Sequence, residues 1–253
     1  MSNVQFYTKP VPVNRESHRN ATIGAVSNYA FAAHANSVHI TAVEFAQLCK
    51  EYPIVFAQTG NSKTAFALLG LKDNDNLFVT PQGEWEAHYL PAFVRRYPFV
   101  LAGSDPQKMV VCVDEAATVF NATDGQAMFD AQGAETPFLQ NALQFLSAFH
   151  DEMERTEKLV AELDALGLLV QKTAAAELPD GRKFNFAGIY VVDEAKLMAL
   201  DEAAQARLVR TGVMGLVYAH LMSLSNIAQL ANNMAARDAA VAESAAAAEP
   251  VAA

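Results

Sequence analysis

The order of apolar and polar residues along the chain predicts mainly strands before about residue 130 and mainly helices after it. Short apolar runs bounded by Pro, Gly, Asn or Asp are typical of strands. Here they cover residues 54–57, 66–71, 76–80, 84–90, 99–102, 109–113 and 183–192. Because strands and helices are segregated instead of alternating, the pattern predicts an α+β fold, not a series of βαβ units.

A chain of 253 residues is long enough for one large domain or two small ones, and we expect a single α+β domain over residues 1–237. Its strand-rich part is residues 1–135 and its helix-rich part is residues 136–237. From residue 238 to residue 253 the chain is mostly Ala with scattered Glu. This composition predicts a disordered tail, because it offers little large apolar surface to bury.

Helix-capping residues in the sequence predict where the later helices begin and end. Thr136 followed by Pro137 predicts an N-cap with Pro at the first helical position. The apolar stripe that follows has helical spacing and stops at Gly167. Asp193 and Asp201 are N-cap candidates for two further helices.

Two local patterns organise residues 41–64. Thr41 and Glu44 have the spacing of a capping box, so a helix is predicted there that ends at Pro53. The run Gly60–Thr64 looks superficially like a phosphate-binding loop, but the Gly that such a loop needs four residues upstream of Gly-Lys is missing. It is predicted to be a hairpin loop.

A second hairpin is predicted from the four residues Thr80-Pro81-Gln82-Gly83, which suit a type I turn between residues 76–80 and 84–90. Alternate residues of a strand point to opposite faces. In the second strand one face therefore carries Trp85, Ala87 and Tyr89, and the other carries Glu84, Glu86 and His88.

Charge and composition exclude several classes of function. The formal net charge is −10 and there is no long basic run, which argues against nucleic-acid binding and against an anionic membrane surface. Residues 211–236 carry no charge, but their strongly apolar part, residues 213–224, is shorter than the ~20 residues of a membrane span. A buried helix is predicted there. No secretory signal is seen, and we expect a cytoplasmic protein.

Motifs for chemistry are missing from the sequence. The six histidines form no metal-binding spacing, and both cysteines, Cys49 and Cys112, lie among apolar residues as reduced core thiols usually do. No cofactor and no metal are predicted. His220 interrupts an apolar helix one turn before Ser223. It is either a core histidine held by hydrogen bonds or part of a site assembled from distant residues.

The segment EWEAHYLPAFVRRYPFVLAG, residues 84–103, is the candidate site. On the predicted short helix Arg96 lies at the edge of the apolar arc, and Arg95 lies almost opposite its centre. Arg96 is expected to fold over Trp85 or Tyr89, and Arg95 to be free for a partner or an anionic ligand. The alternative is ordinary packing, in which an arginine covers an aromatic cluster.

The sequence resembles the SapC family. The resemblance rests mainly on Tyr89-Leu90-Pro91-Ala92-Phe93-Val94-Arg95-Arg96-Tyr97-Pro98-Phe99, and further on residues 52–56, 112–114, 188–194 and 220–224. It implies a bacterial protein of a family named for its association with surface-layer genes, with no established reaction. It does not imply the peptide-transporter permease of the same name, since this sequence lacks the spans that a permease needs.

Three functional hypotheses follow. The first is a cytoplasmic, non-catalytic accessory protein linked to surface-layer or nutrient-uptake pathways, which binds a protein partner or a small anionic ligand. Its site would be formed by Trp85, Tyr89, Arg95, Arg96 and Tyr97. The second is an enzyme whose site is assembled from His88, His220 and Arg96. The third is a structural subunit without a ligand, and the sequence does not predict an oligomeric state.

Overall fold

The computed structural model describes residues 5–103, 109–177 and 181–248. Contacts divide the chain into two units, each made of two separate stretches. The first unit joins Met1–Ala33 and Val79–Glu154. The second joins His34–Phe78 and Arg155–Ala253. The single domain expected over residues 1–237 stays a prediction.

The α+β class is confirmed, with strands mainly in the N-terminal half and helices mainly in the C-terminal half. The strands are β1 Pro10–Pro12, β2 Thr22–Ile23, β3 Ser37–His39, β4 Ile54–Thr59, β5 Ser62–Leu68, β6 Phe99–Ala102, β7 Val110–Asp114, β8 Gln126–Ala127, β9 Leu169–Glu177 and β10 Lys183–Val192. The α-helices are α1 Phe45–Leu48, α2 Ala92–Arg95, α3 Pro137–Ala165, α4 Glu194–Met198, α5 Glu202–Arg210, α6 Val213–Ser223 and α7 Asn226–Ala248.

Two small antiparallel sheets lie in the first unit. One has the strand order β1-β7-β6 and the other pairs β2 with β8. The buried carboxylate of Asp114, at the end of β7, accepts hydrogen bonds from the backbone N–H groups of Thr8 at 3.0 Å and Lys9 at 2.8 Å. It therefore ties the N-terminal strand to the sheet. The first turns of α3 supply Leu139 and Leu146 to the core of this unit.

The second unit contains a five-stranded antiparallel sheet in the order β3-β5-β4-β10-β9. Strand β4 pairs with β5 from Ile54 opposite Ala67 to Thr59 opposite Ser62, so the hairpin loop predicted over Gly60–Thr64 is present but shorter. On its other side β4 pairs with β10 only at Ala57 opposite Ile189 and at Phe56 opposite Tyr190.

The imidazole of His220 continues the pairing of β4 and β10 beyond these two residue pairs. In the same register Val192 would lie opposite Ile54. The Val192 N–H donates to Nε2 of His220 at 3.0 Å, and Nδ1 of His220 donates to the Ile54 carbonyl at 2.8 Å. The ring thus bridges two backbone groups that would otherwise bond each other, and it must be neutral with its proton on Nδ1.

Ser223 completes the attachment of α6 to β4. Its hydroxyl accepts from the Ile54 N–H at 2.9 Å and donates to the His220 carbonyl at 2.6 Å. Both backbone groups of Ile54 are therefore satisfied by side chains of α6. His220 is a core histidine, as the first of the two sequence interpretations predicts.

The last helix extends into the residues for which the sequence predicts disorder. Helix α7 continues through Asp238 to Ala248. Arg237 donates to the carboxylate of Asp75, and Asp238 pairs with Arg182 at 2.8 Å and with Lys72 at 3.4 Å. Alanine has the highest helix propensity, and these ion pairs hold the helix at the point where the tail was predicted to begin.

Several predicted elements differ in the structure. The hairpin of residues 76–90 is reduced to a turn with one isolated bridge between Val79 and Trp85. Strand β9 was not predicted, because its run LVQKTAAAE lacks a clear apolar alternation. By contrast, the predicted N-caps at Asp193 and Asp201 are confirmed, since each carboxylate accepts from a backbone N–H three residues later.

Within the part of the chain that the structure describes, one helical run, Val213–Glu243, is long and apolar enough to cross a membrane by length and composition alone. Its mean hydropathy of 1.2 makes it a weak candidate. The predicted buried helix of residues 211–236 is correct for one side only, on which Val217, Leu230 and Met234 are buried.

The buried state of His220 predicts a pH-dependent stability. Burial lowers the pKa of His220 to about 4, against the ordinary value of 6.5. The unfolded chain therefore binds a proton between pH 6.5 and pH 4 that the folded chain does not. We expect the free energy of unfolding to fall as the pH drops through this window, by about 3 kcal/mol from this group.

Urea unfolding of the wild type and His220→Gln at pH 7 and pH 4.5 measures this contribution. The variant should be less stable at pH 7 and should show a smaller loss on acidification. An equal loss of stability in both proteins would contradict the assignment to His220.

Candidate functional site

The turn before the candidate site is held against residues 28 and 29. The Gly83 carbonyl accepts from the Tyr29 N–H at 2.7 Å, and the Asn28 side chain donates to the Gln82 carbonyl at 3.1 Å. Gly83 has φ +86°, and a Cβ built on it would lie 2.3 Å from Nδ2 of Asn28. Only glycine therefore combines this backbone conformation with so close an approach.

Helix α2 follows Pro91 and is one turn long. The Pro91 carbonyl accepts from the N–H groups of Val94 at 2.9 Å and Arg95 at 3.0 Å. The helix ends before the Tyr97–Pro98 bond, which is cis. Because residues on a helix are ~100° apart, Arg95 and Arg96 point in different directions.

Arg96 is packed among three aromatic rings. Its guanidinium lies 3.8 Å from the centroid of Phe93, 5.4 Å from that of Phe149 and 5.9 Å from that of Tyr7. Its Nε is buried and has no hydrogen-bond partner among the described residues. Burial lowers the pKa of Arg96, and the nearby Tyr7 opposes this shift. The side chain is held mainly by cation–π contacts.

The phenols beside Arg96 belong to the core. The Tyr7 hydroxyl donates to the Phe99 carbonyl at 2.7 Å. The Tyr97 ring stacks on Phe31 at a centroid distance of 3.9 Å. Burial, and secondarily the charge of Asp114, raises the pKa of Tyr97 to about 12. Tyr97 is therefore protonated at neutral pH and is not a base.

Arg95 is exposed and contacts two different rings. Its Nη2 donates to the Tyr89 hydroxyl at 3.2 Å. The guanidinium carbon lies 5.5 Å from the ring centroids of both Tyr89 and Phe145. Within the described part of the chain no carboxylate lies within ion-pair distance of Arg95. Arg95 thus has a cationic group stacked on aromatic rings and available to an anion.

A cavity of about 460 Å³ lies next to Arg95. Apart from Arg95 and Arg96, the residues that line it are uncharged, and most are aliphatic or aromatic. They are Ile23, Gly24, Ala25, Val26, Tyr29, Leu90, Val94, Tyr97, Pro98, Phe99, Phe138, Asn141, Ala142, Phe145 and Leu146.

The two arginines are not equivalent in this cavity. The ring of Phe145, on which Arg95 lies, is part of the lining. The three rings around the Arg96 guanidinium are not part of it. The guanidinium of Arg95 is therefore the one in contact with a cavity wall. Arg96 also lines the cavity, but its guanidinium packs against rings outside the lining.

The five predicted site residues are only partly brought together. Arg95, Arg96 and Tyr97 line the cavity, whereas Trp85 and Tyr89 do not. Trp85 is one contact away, because its ring packs edge-on against Tyr29 at 5.8 Å, and Tyr29 lines the cavity. Tyr89 is connected through its hydrogen bond with Arg95.

Arg96 does not lie on the rings expected for it, whereas Arg95 is exposed as expected. The sequence predicts that Arg96 covers Trp85 or Tyr89, but Arg95 contacts Tyr89 and Arg96 lies on Phe93. The reason is that residues 84–90 do not form the predicted strand. The face that this strand would have presented to Arg96 is therefore absent.

Sequence reasoning missed the part of the lining that comes from α3 and from residues 23–29. Phe138, Ala142 and Phe145 recur at helical spacing and line the cavity, and Phe138 and Ala142 also pack against the core. That spacing was a usable signal. Residues 23–29 show no period, and nothing in their pattern marked them.

The histidines of the enzymatic alternative do not supply a free base. His220 lies in the second unit with both ring nitrogens bonded to backbone groups. His88 and Arg96 lie in the first unit, where His88 is exposed and does not line the cavity. Over residues 5–103, 109–177 and 181–248 no group of three His, Cys, Asp or Glu side chains could hold a metal ion.

Comparison with known families matches the SapC family over residues 13–230, which is most of the chain. This range contains the whole cavity lining. Comparisons with curated proteins and with solved structures give no significant match.

The turn at Gly83 provides a test of how the site is held. Gly83→Ala should lower the free energy of unfolding by about 2 kcal/mol or more, since it combines backbone strain with a clash at Asn28. Gly133→Ala is the matched control, because Gly133 has φ +82° but open space around its Cα. It should lower stability by only about 1 kcal/mol in urea unfolding. Equal effects would show that the Asn28 contact does not matter.

The packing of Arg96 predicts an unusual order of substitutions. Arg96→Met keeps the apolar stem and removes a buried cation without a carboxylate partner, so stability should change by less than about 1 kcal/mol. Arg96→Lys should be worse, by about 2 kcal/mol, because an ammonium is more strongly hydrated and stacks poorly on rings. Urea unfolding midpoints measure both, and a variant order with Lys better tolerated than Met would show that this position requires a positive charge, contrary to the expected order.

Proposed function

We propose that this chain, which belongs to the SapC family, is a non-catalytic binding protein for a small organic anion with an apolar or aromatic body. The observation that supports this is the cavity of the first unit, where Arg95 is available to an anion and no acidic side chain is part of the lining. A buried carboxylate or sulfonate would find its counter-charge there and its rings would find apolar walls.

The size of the cavity fits this ligand class. Sites for small molecules usually measure about 300–1,000 Å³ and are lined mainly by apolar and aromatic side chains with a few polar groups. The cavity of about 460 Å³ has this character, with the two arginines, Asn141 and the phenols of Tyr29 and Tyr97 as its polar side chains. Such a space suits a ligand of one to three rings or an equivalent aliphatic body.

The electrostatics favour an anion over a cation or a neutral ligand. A guanidinium can bind a carboxylate or sulfonate with two parallel hydrogen bonds, which are stronger than bonds between neutral groups. The Tyr89 hydroxyl is the hydrogen-bond acceptor that Arg95 has in this structure, and it is neutral. An anionic ligand therefore gains more from Arg95 than the side chain loses by leaving the phenol.

The composition of the lining favours binding over catalysis. It contains no His, Cys, Ser, Thr, Lys, Asp or Glu, so the usual nucleophiles and general bases do not face the space. The phenol of Tyr97 is held protonated by its raised pKa. The proposed setting is a cytoplasmic accessory role linked to surface-layer or nutrient-uptake pathways, which follows the expectation drawn from the family resemblance.

Two fluorescent probes with the same ring system test the proposal. 1-Anilinonaphthalene-8-sulfonate carries a sulfonate, and N-phenyl-1-naphthylamine is its uncharged counterpart. Arg95→Gln should weaken binding of the anionic probe by about tenfold or more, which corresponds to the loss of one charge-assisted hydrogen bond. Binding of the neutral probe should stay within about twofold, because the apolar walls are unchanged.

Arg15→Gln is the matched control, since it removes the same charge from an exposed position of the first unit that is not part of the lining. It should leave both dissociation constants unchanged. The proposal fails if both probes respond equally to Arg95→Gln, or if Arg15→Gln reproduces the effect on the anionic probe. Circular dichroism of each variant confirms that the fold is retained.

A further inference from the structure

Helices α6 and α7 expose a regular stripe of residues. The two helices follow each other directly, with Leu224 and Ser225 in a turn between them. Starting at Gly215 and moving alternately three and four residues along the chain, each residue reached is exposed to solvent. These positions are Gly215, Tyr218, Met222, Ser225, Gln229, Asn232 and Ala236, referred to below as the α6–α7 stripe.

The α6–α7 stripe carries no charge, although its residues face solvent. A helix face exposed to water is normally rich in charged residues. Helix α3 of the same chain follows that rule, since its exposed positions include Asp151, Glu154, Arg155, Glu157 and Lys158. The difference between these two helices shows that the stripe is not an ordinary solvated face.

Two large apolar side chains stand out on this stripe. Met222 is 62% exposed and Tyr218 is 37% exposed. Gly215, one turn before Tyr218, has open space where a side chain would be. A large residue beside a glycine gives a raised and a recessed position on one face, which is the relief that interlocking helices use.

The opposite side of the helical run is already occupied. Val217, His220 and Ser223 of α6 are buried, and so are Leu230 and Met234 of α7. His220 and Ser223 also make the hydrogen bonds to Ile54. The helices therefore cannot turn the stripe inward without breaking those contacts, and the stripe stays available to a second molecule.

We propose that the α6–α7 stripe is the contact surface for a second copy of this chain, which packs the same stripe against it about a two-fold axis. An exposed seam with a repeat of 3.5 residues is the pattern by which helices pair side by side. In a two-fold contact the same surface serves both partners, so one stripe is sufficient.

The charge of the chain supports a second copy as the partner. Each copy carries a net charge of −10, so two copies repel each other over most of their surface. Residues 211–236 are a run of 26 residues without any Asp, Glu, Lys or Arg. Contact through this run brings no like charges together, which is the condition that a complex between identical acidic chains must meet.

The length of the stripe limits the area that a dimer can bury and therefore its affinity. The helical parts of the stripe, residues 215–223 and 226–236, measure about 12 Å and about 15 Å at 1.5 Å per residue. One helix from each copy buries less than the roughly 800 Å² per partner of a standard interface. The dimer should therefore dissociate in the micromolar range and depend on concentration.

Sedimentation velocity from about 1 to 300 µM, a range that spans the micromolar dissociation expected for a small interface, tests the proposal. The wild type should change from monomer to dimer across this range. Met222→Glu should remain a monomer throughout, because it places two carboxylates in the contact. Val241→Glu is the matched control: Val241 is 64% exposed on α7 but lies off the stripe, and this variant should dimerise like the wild type.

A cross-link gives a second, independent measurement. Ser225 is at the middle of the stripe, so it meets its own copy whether the two helices run parallel or antiparallel. Ser225→Cys in a Cys49→Ser background, where the remaining Cys112 is buried, should form a disulfide-linked dimer under mild oxidation. Val241→Cys in the same background should not.

Three outcomes would overturn the proposal. One is a monomer at every concentration together with no cross-link at residue 225. Another is a dimer that Met222→Glu and Val241→Glu affect equally. The last is a monomeric chain that floats with vesicles of neutral phosphatidylcholine and loses this binding in Met222→Glu, which would assign the stripe to a lipid surface.

Discussion

The buried guanidinium of Arg96 is the interaction on which the candidate site depends. It lies on Phe93 and close to Phe149 and Tyr7, with no carboxylate in ion-pair distance among the described residues. Stacking on rings and the polar group of Tyr7 stabilise this cation. Because adjacent residues of a helix differ by ~100° in direction, holding Arg96 inward places Arg95 on another side of α2. That side is where Phe145 and the cavity lie.

The second unit uses a buried polar side chain in a related way. His220 is 0% exposed, and its ring replaces a direct bond between Val192 and Ile54. Arg96 and His220 are the polar residues that the sequence suggests first as candidates for chemistry. In the structure both side chains hold other parts of the fold in place, Arg96 by packing on rings and His220 by hydrogen bonds to the backbone. The residue that the geometry makes available to a ligand is Arg95, which the sequence pattern also places away from the apolar face of its helix.

Two surfaces of this SapC-family protein carry the functional proposals, and each lies within one unit. The cavity combines apolar walls with one available cation, which gives it a preference for the charge of a ligand. The α6–α7 stripe combines apolar, small and uncharged polar residues, and its absence of charge suits contact between identical acidic chains. In both cases the proposed partner is inferred from the distribution of charge, because apolar area alone would not distinguish one partner from another.

The sequence by itself determined the elements whose signals are local: the caps at Thr136, Asp193 and Asp201, the long helix α3, the strand cores and hence the α+β class. It also marked residues 84–103 as the segment to examine. Only the tertiary structure decided that residues 84–90 form no strand, that Arg95 and not Arg96 meets Tyr89, and that α3 supplies a cavity wall. Caps and periods depend on neighbours within a few residues. Helical spacing also indicated that Arg95 faces outward. Which rings each arginine contacts depends on residues far away in the chain, and no local pattern records them.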